Sequence, residues 1–273
     1  MKNLQEENAL EELVRVVLEK PKYKHIHKGL IENVTKTELA KGRKQKETQK
    51  AVLGKLHQVG AAYFSRKPDY KKWKHELSDL PEDIHSDQTI AFCEEIMGYH
   101  HSTDERLPIL NDFYKDILKS IKPIPSILDL ACGLNPLALS WMPVDKDIQY
   151  YGCDIFSDMI DFLNAFATHF KIAAIFEPCN LLDAEFNTSV KIAFLLKITP
   201  CLEQLRKGFI PQLLDTIPAE YLLFSYPISS LSGKSKGMRD NYFNQFTAII
   251  SRKRWDYELF EFSSELAFLV KKK

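Results

Sequence analysis

The chain has 273 residues, 45% of them hydrophobic and 27% charged. At about 100–200 residues per domain this allows one large domain, or one with a smaller partner, of ordinary globular composition. Lysine plus arginine equals aspartate plus glutamate at 37 each, so the net charge is zero, which at first sight argues against a nucleic-acid partner. The longest apolar runs, such as 192–196, fall far short of the about 18 residues of a membrane span. The acidic start, MKNLQEENALEE, is not a signal peptide. Five cysteines, without CxxC or Cys/His ligand spacing, suit a cytoplasmic protein with reduced thiols and no metal.

The zero conceals an uneven distribution. Residues 1–19 carry two basic and five acidic side chains, residues 20–76 sixteen and five, and residues 77–273 nineteen and twenty-seven. A segment at net +11 calls for a polyanion, and sixteen cations within 57 residues favour nucleic acid over a merely solvated helix face.

In chain order, Leu10, Leu13, Val14, Val17 and Leu18 form a helical stripe that ends at Lys20-Pro21. A second helix is predicted over Lys46–Tyr63, with Val52, Leu56, Val59 and Tyr63 inward and Lys46, Lys50 and Lys55 outward. A third covers Asp87–Tyr99 through Ile90, Cys93, Ile96 and Met97. Between them Ser65–Asp83, with two prolines and a basic aromatic cluster, is predicted to be an exposed connector. Ser102 and Glu105 have the spacing of a capping box ahead of a periodic run from Leu107 to Ile121. The box leaves Arg106 unexplained, because a cation in a first helical turn opposes the helix dipole and calls for an anionic partner.

From Pro123 the pattern changes to short apolar strands separated by helix-length segments. The strands are Ser126–Ala131, Gln149–Cys153, Ala173–Phe176, Val190–Leu196 and Tyr221–Ser225. This alternation predicts a parallel sheet in an α/β domain. The runs 257–262 and 266–270, joined by Ser263-Ser264-Glu265, predict an antiparallel pair closing the sheet edge. The fold class is therefore α/β, a Rossmann-like sheet behind an N-terminal helical domain, divided at about residue 100.

The first strand ends in LDLACGLNP, an acid followed by a single turn glycine, Gly133. A pyrophosphate-binding GxGxxG is absent, so a nucleoside cofactor without phosphates fits better than a dinucleotide. Asp154, twenty-one residues further on and ending the second strand, is placed to accept from ribose hydroxyls. S-adenosylmethionine in a methyltransferase satisfies this spacing, and so does a plain α/β domain.

The words HxSTxER (100–106), LDLACGLNPLAL (128–139), GCDI (152–155), KITPCLE (197–203) and SYPISSLSGKSKGMRDNY (225–242) together go further. They resemble the aminoglycoside-resistance 16S rRNA methyltransferases that modify N7 of guanine 1405 in the decoding site of the 30S subunit. The resemblance runs from about Lys20 to the C-terminus. It implies S-adenosyl-L-methionine as cofactor, with Arg106 on the methionine carboxylate, Gly133 along the methionine portion, Asp154 on the ribose and Ile155 on the adenine. Asn180, where relatives often have Asp, and Leu181 complete the adenine site, and Tyr63 reaches the cofactor from the helical domain. Lys197 follows strand four at the mouth of the site. Glu265 matches a family position whose carboxylate lies near the guanine ring, while its plain alternative is a turn residue paired with a nearby lysine.

Guanine N7 is a neutral lone pair, so its methylation needs alignment and exclusion of water rather than a general base. The resemblance makes the basic segment the docking surface for 16S rRNA on the assembled 30S subunit, with one rRNA target requiring no more than a monomer. Candidate phosphate contacts are Lys20, Lys22, Lys24, Arg43, Lys44, Lys46, Lys50, Arg66, Lys67, Lys71 and Lys72, joined by Lys234, Lys236 and Arg239 from the loop 229–242. Two alternatives remain. Pro200-Cys201 is placed where RNA cytosine-C5 methyltransferases carry a nucleophilic thiol. A non-catalytic RNA-binding protein on a degenerate Rossmann domain is the other, and the joint presence of Arg106, Gly133 and Asp154 argues against it.

Overall fold

A computed structural model describes residues 2–228 and 237–273. The N-terminal part is helical: α1 (Lys2–Leu18), α2 (Lys28–Leu39), α3 (Gln45–Val59), α4 (Tyr70–Ser78) and α5 (Asp87–Met97). Val14, Val17, Leu30, Ile31, Val34, Val52 and Leu56 close together as its core. Lys44, Lys46 and Lys50, at or just before α3, remain exposed on the outside.

The segment expected to be an exposed connector contains α4. Tyr70, Trp73 and Leu77 follow i, i+3, i+7 spacing and are buried, and Asp69 caps the helix by accepting from the Lys72 amide at 3.0 Å. The aromatics in this stretch therefore serve packing: Trp73 meets Tyr99 edge-on and approaches Phe162 of the following half. Lys71 and Lys72 point outward from the same helix. The second predicted helix also stops early. Gly60 leaves helical geometry at φ −142°, ψ −76°, and a 3₁₀ turn over Ala61–Tyr63 redirects the chain. Tyr63 is consequently free of the helix stripe and turns toward the sheet.

The sheet half begins with α6 (His101–Asp104) and α7 (Leu110–Leu118), then β1 (Ser126–Leu130), β2 (Gln149–Asp154), α8 (Ser157–His169), β3 (Ala173–Pro178) and β4 (Val190–Leu196). It continues through α9 (Thr199–Leu205), α10 (Ile210–Thr216), β5 (Ala219–Pro227), α11 (Met238–Lys253), β6 (Asp256–Glu261) and β7 (Glu265–Lys271). The sheet order is β3-β2-β1-β4-β5-β7-β6, with β1 to β5 parallel and β7 antiparallel to both β5 and β6. The predicted closing pair is thus present, and its second strand lies inside the first. β4 and β7 are covered on both faces, which is why they read as continuous apolar runs. Strand order reverses between β1 and β4, and a crevice opens there at the carboxyl ends of the strands.

Backbone bonds tie the two halves at this crevice. Ile26 bridges Phe156, His27 N–H donates to the Ile155 carbonyl at 2.7 Å, and Ser157 N–H donates to the His25 carbonyl at 2.9 Å. The loop after β2 is therefore held directly by the helical half. Among the described residues no helix is long and apolar enough to cross a membrane.

Candidate active site

A cleft lies over the ends of β1, β2, β3 and β4 and is roofed by the helical half. Ala131, Asp154, Asn180 and Lys197 stand at the four strand ends, and Leu30, Gly60, Tyr63 and His100 close it from above. Ala131 and Lys197 both take left-handed backbone, at φ 55° and 58°, uncommon for residues with a side chain. Gly133 sits at φ 53°, and a Cβ there would lie 3.2 Å from the His100 ring, so glycine is favoured on both counts.

Asp154 is the acid of the cleft. Its Oδ2 accepts from Gly133 N–H at 3.0 Å and its Oδ1 from Phe156 N–H at 3.3 Å. Burial raises its carboxyl to about 6, and the backbone donors offset only part of that rise. Ile155, Phe156, Leu181, Leu202 and Leu205 supply the apolar wall beside it. Tyr63, Asp154, Ile155, Asn180 and Leu181, named for the cofactor, thus converge on one cleft, and Gly133 stands behind it, bonded to Asp154.

Arg106 is 1% exposed and does not line the cleft. Its Nε and Nη2 donate to the Glu265 carboxylate at 3.0 and 2.6 Å, its Nη1 donates to Asn135 Oδ1 at 2.9 Å, and Phe113 lies under the guanidinium. The anion that Arg106 meets is therefore Glu265, through a fork-to-fork pair between residues far apart in the chain. Lys197 joins the same cluster, 3.3 Å from Glu265 Oε2 and 2.8 Å from Glu105 Oε2, and it does reach the cleft wall. Burial raises the Glu265 carboxyl, but Arg106 and Lys197 outweigh it and hold the group below its ordinary value. The expected capping box is not made: Glu105 is spent on Lys197, and Ser102 Oγ bonds the His100 ring at 2.8 Å.

His100 was not singled out by sequence, although it is the first letter of HxSTxER. Its ring stacks on Tyr63 at 5.8 Å, takes Phe64 edge-on at 5.2 Å, and is held neutral by burial, its titration lowered to about 3. It is the contact through which Tyr63 presses on the Gly133 turn. The Tyr63 hydroxyl reaches Cys201 Sγ at 2.8 Å. Cys201 is 3% exposed and burial pushes its thiol up, the opposite of what an attacking thiolate needs.

The basic candidates separate by their partners. Arg43 is paired with Glu38, Lys22 contacts His57 at 3.2 Å, Lys72 is 3.3 Å from Glu76, and Arg66 lies over the Tyr99 ring at 4.1 Å. Lys20, Lys24, Lys44, Lys46, Lys50, Lys67 and Lys71 make no ion pair among the described residues. Arg239 begins α11 and is bonded to Glu261 at 3.0 Å, so it is not a free loop cation. Lys234 and Lys236 lie outside the described residues.

A family model, ribosomal RNA methyltransferase (FmrO), matches residues 19–269. The chain belongs to this family. Within it, the 16S rRNA (guanine(1405)-N(7))-methyltransferase of Micromonospora rosea is 26% identical over 268 residues, covering 97% of this chain and 98% of the relative. The enzyme of the same name from Micromonospora echinospora is 27% identical over 269 residues, with the same coverage. Among solved structures, 16S rRNA methyltransferase RmtF in complex with S-adenosyl-L-homocysteine superposes with a TM-score of 0.83 at 26% identity, covering 97% of this chain and 98% of RmtF. The FmrO-family fold thus extends over both the helical and the sheet half.

Proposed function

We propose that the chain transfers a methyl group from S-adenosylmethionine to N7 of guanine 1405 in the 16S rRNA of the 30S subunit, and so confers aminoglycoside resistance. The observation that carries this is the cleft: a buried carboxylate beside a glycine turn and an apolar slot, at the switch point of a sheet whose chain belongs to an rRNA methyltransferase family. Its residues fit a nucleoside sulfonium. Asp154 offers acceptors to a ribose diol, Ile155 and Leu181 sandwich a purine, and Asn180 faces its edge. Gly133, its amide held on Asp154, keeps the turn free of a side chain beside the methionine portion.

The bound cofactor supplies an electrophilic methyl. Asp154, Tyr63 and the apolar walls orient it, and the roof of Leu30, Gly60 and His100 keeps water out. N7 attacks with its own lone pair, so no side chain needs to remove a proton. Lys197, buried at the cleft wall, donates to the Ser102 carbonyl at 3.2 Å and pairs with Glu105 and Glu265, and so fixes the wall against which the nucleotide would lie. Glu265 acts at one remove, by holding Lys197 and Arg106 in place. Residues 1–100 form the docking unit and 101–273 the catalytic one, acting as a monomer.

Two results test this reading. Charge reversal of Lys46 and Lys50, which make no ion pair, is expected to weaken 30S binding and lower its salt dependence by about one unit of log–log slope per lost phosphate contact. Unchanged binding and slope in a filter assay would remove α3 from the docking surface. Cys201→Ala is expected to retain most methyl transfer to unmodified 30S subunits from labelled cofactor. Loss of transfer by a correctly folded variant would favour thiol addition to a pyrimidine instead.

A further inference from the structure

Asn180 follows β3 at the wall of the cleft and is 6% exposed. Its Oδ1 accepts from Leu182 N–H at 3.3 Å, and its Nδ2 donates to Asp183 Oδ2 at 2.9 Å. Turning the amide over would set donor against donor at Leu182 and oxygen against carboxylate at Asp183, so the pair of contacts admits one orientation. The nitrogen side is further closed by α2, since Nδ2 lies 3.8 Å from where a Cβ on Gly29 would sit. The same Asp183 oxygen accepts from Asn33 Nδ2 of α2 at 2.5 Å, and Arg206 stands 3.9 Å from the other oxygen. The carboxylate is thereby held from the helical half as well as from its own loop.

We infer that Asp183 is a positioning residue, which fixes the Asn180 amide with its carbonyl oxygen as the acceptor at the cleft and so selects a 6-amino purine over a 6-oxo purine. This rests on the nucleoside-cofactor reading above. A neutral Asn can present either end of its amide, whereas a carboxylate at the same position is an acceptor in any orientation. Asp183 supplies by contact what an aspartate at 180 would supply by charge. Through Asn33 it also links the helical half to recognition of the base.

The test is the affinity ratio of S-adenosylhomocysteine to S-inosylhomocysteine, measured by calorimetry in four proteins: the unaltered chain, Asp183→Ala, Asn180→Asp and the double variant. The Asp183 side chain is 57% exposed, so its removal is compatible with folding, which thermal melts verify. The unaltered chain should prefer the adenosyl ligand, and Asp183→Ala should narrow that preference by about five- to tenfold, the scale of one oriented hydrogen bond. In the Asn180→Asp background, Asp183→Ala should leave the preference intact or widen it. An equal loss in both backgrounds, or no loss with Asn180 present, overturns the positioning role. Failure of the unaltered chain to bind either ligand overturns the proposed function itself.

Discussion

Replacing Glu265 by Gln is expected to cost the fold about 3–5 kcal/mol, the scale found when one partner of a buried ion pair is removed. Gln conserves shape, so packing is preserved and only charge is lost. Arg106, 1% exposed, would be left buried without a carboxylate, and Lys197, 5% exposed, would keep only Glu105. For a chain of this size such a loss lowers the melting temperature by about 10 °C. Thermal or urea unfolding checks it. The folded carboxyl lies below its ordinary value, so the stability it contributes is present at neutral pH and disappears as pH falls through the carboxylate range. Full stability in Glu265→Gln combined with abolished methyl transfer would mean instead that the carboxylate touches the substrate.

The second large effect concerns Asp154. Asp154→Ala is expected to weaken S-adenosylhomocysteine binding about 100-fold, because two charge-assisted bonds to a ribose diol are worth about 3 kcal/mol together. The carboxyl titrates near 6 in the free protein, raised by burial, while the diol donates to the ionised form. Affinity should therefore rise with pH through about 6 and level off above it, and Asp154→Asn should flatten that dependence. Asp129 is also raised by burial to about 6, but its carboxylate faces Asn135 and Tyr150 rather than the cleft, so the Asn variant separates the two. Calorimetry across pH 5–8 reads both results. A pH dependence that survives in Asp154→Asn would place the ribose elsewhere.

The legible parts of this molecule are those set by local pattern. Val190–Leu196 reads as a buried strand from its unbroken apolar run, and the 133-to-154 spacing marks the crevice because one turn and one strand end define it. α4 escaped because Ser65–Asp83 contains Pro, Lys and aromatics in one stretch, and only tertiary packing shows that Trp73 belongs to the core. α2 carries Gly29, Val34 and Thr35, weak helix formers that packing against α1 and α3 overrides. The partner of Arg106 was hidden for a different reason. Dipole arguments correctly demanded an anion, but Glu265 lies 159 residues away, and no spacing rule connects β7 to the turn before α7. The Asn33–Asp183–Asn180 contact is of the same kind, a junction between two halves that share no local pattern.

The proposed activity is tested most directly by methyl transfer from labelled S-adenosylmethionine to unmodified 30S subunits, followed by mapping of the modified base. N7-methylguanine makes the RNA strand cleavable after borohydride reduction and aniline treatment, so the position is read directly by primer extension. One cleavage is expected, at guanine 1405, dependent on Asp154 and independent of Cys201. Methylation at any other base, or at a pyrimidine carbon, or none on intact 30S subunits, would contradict it.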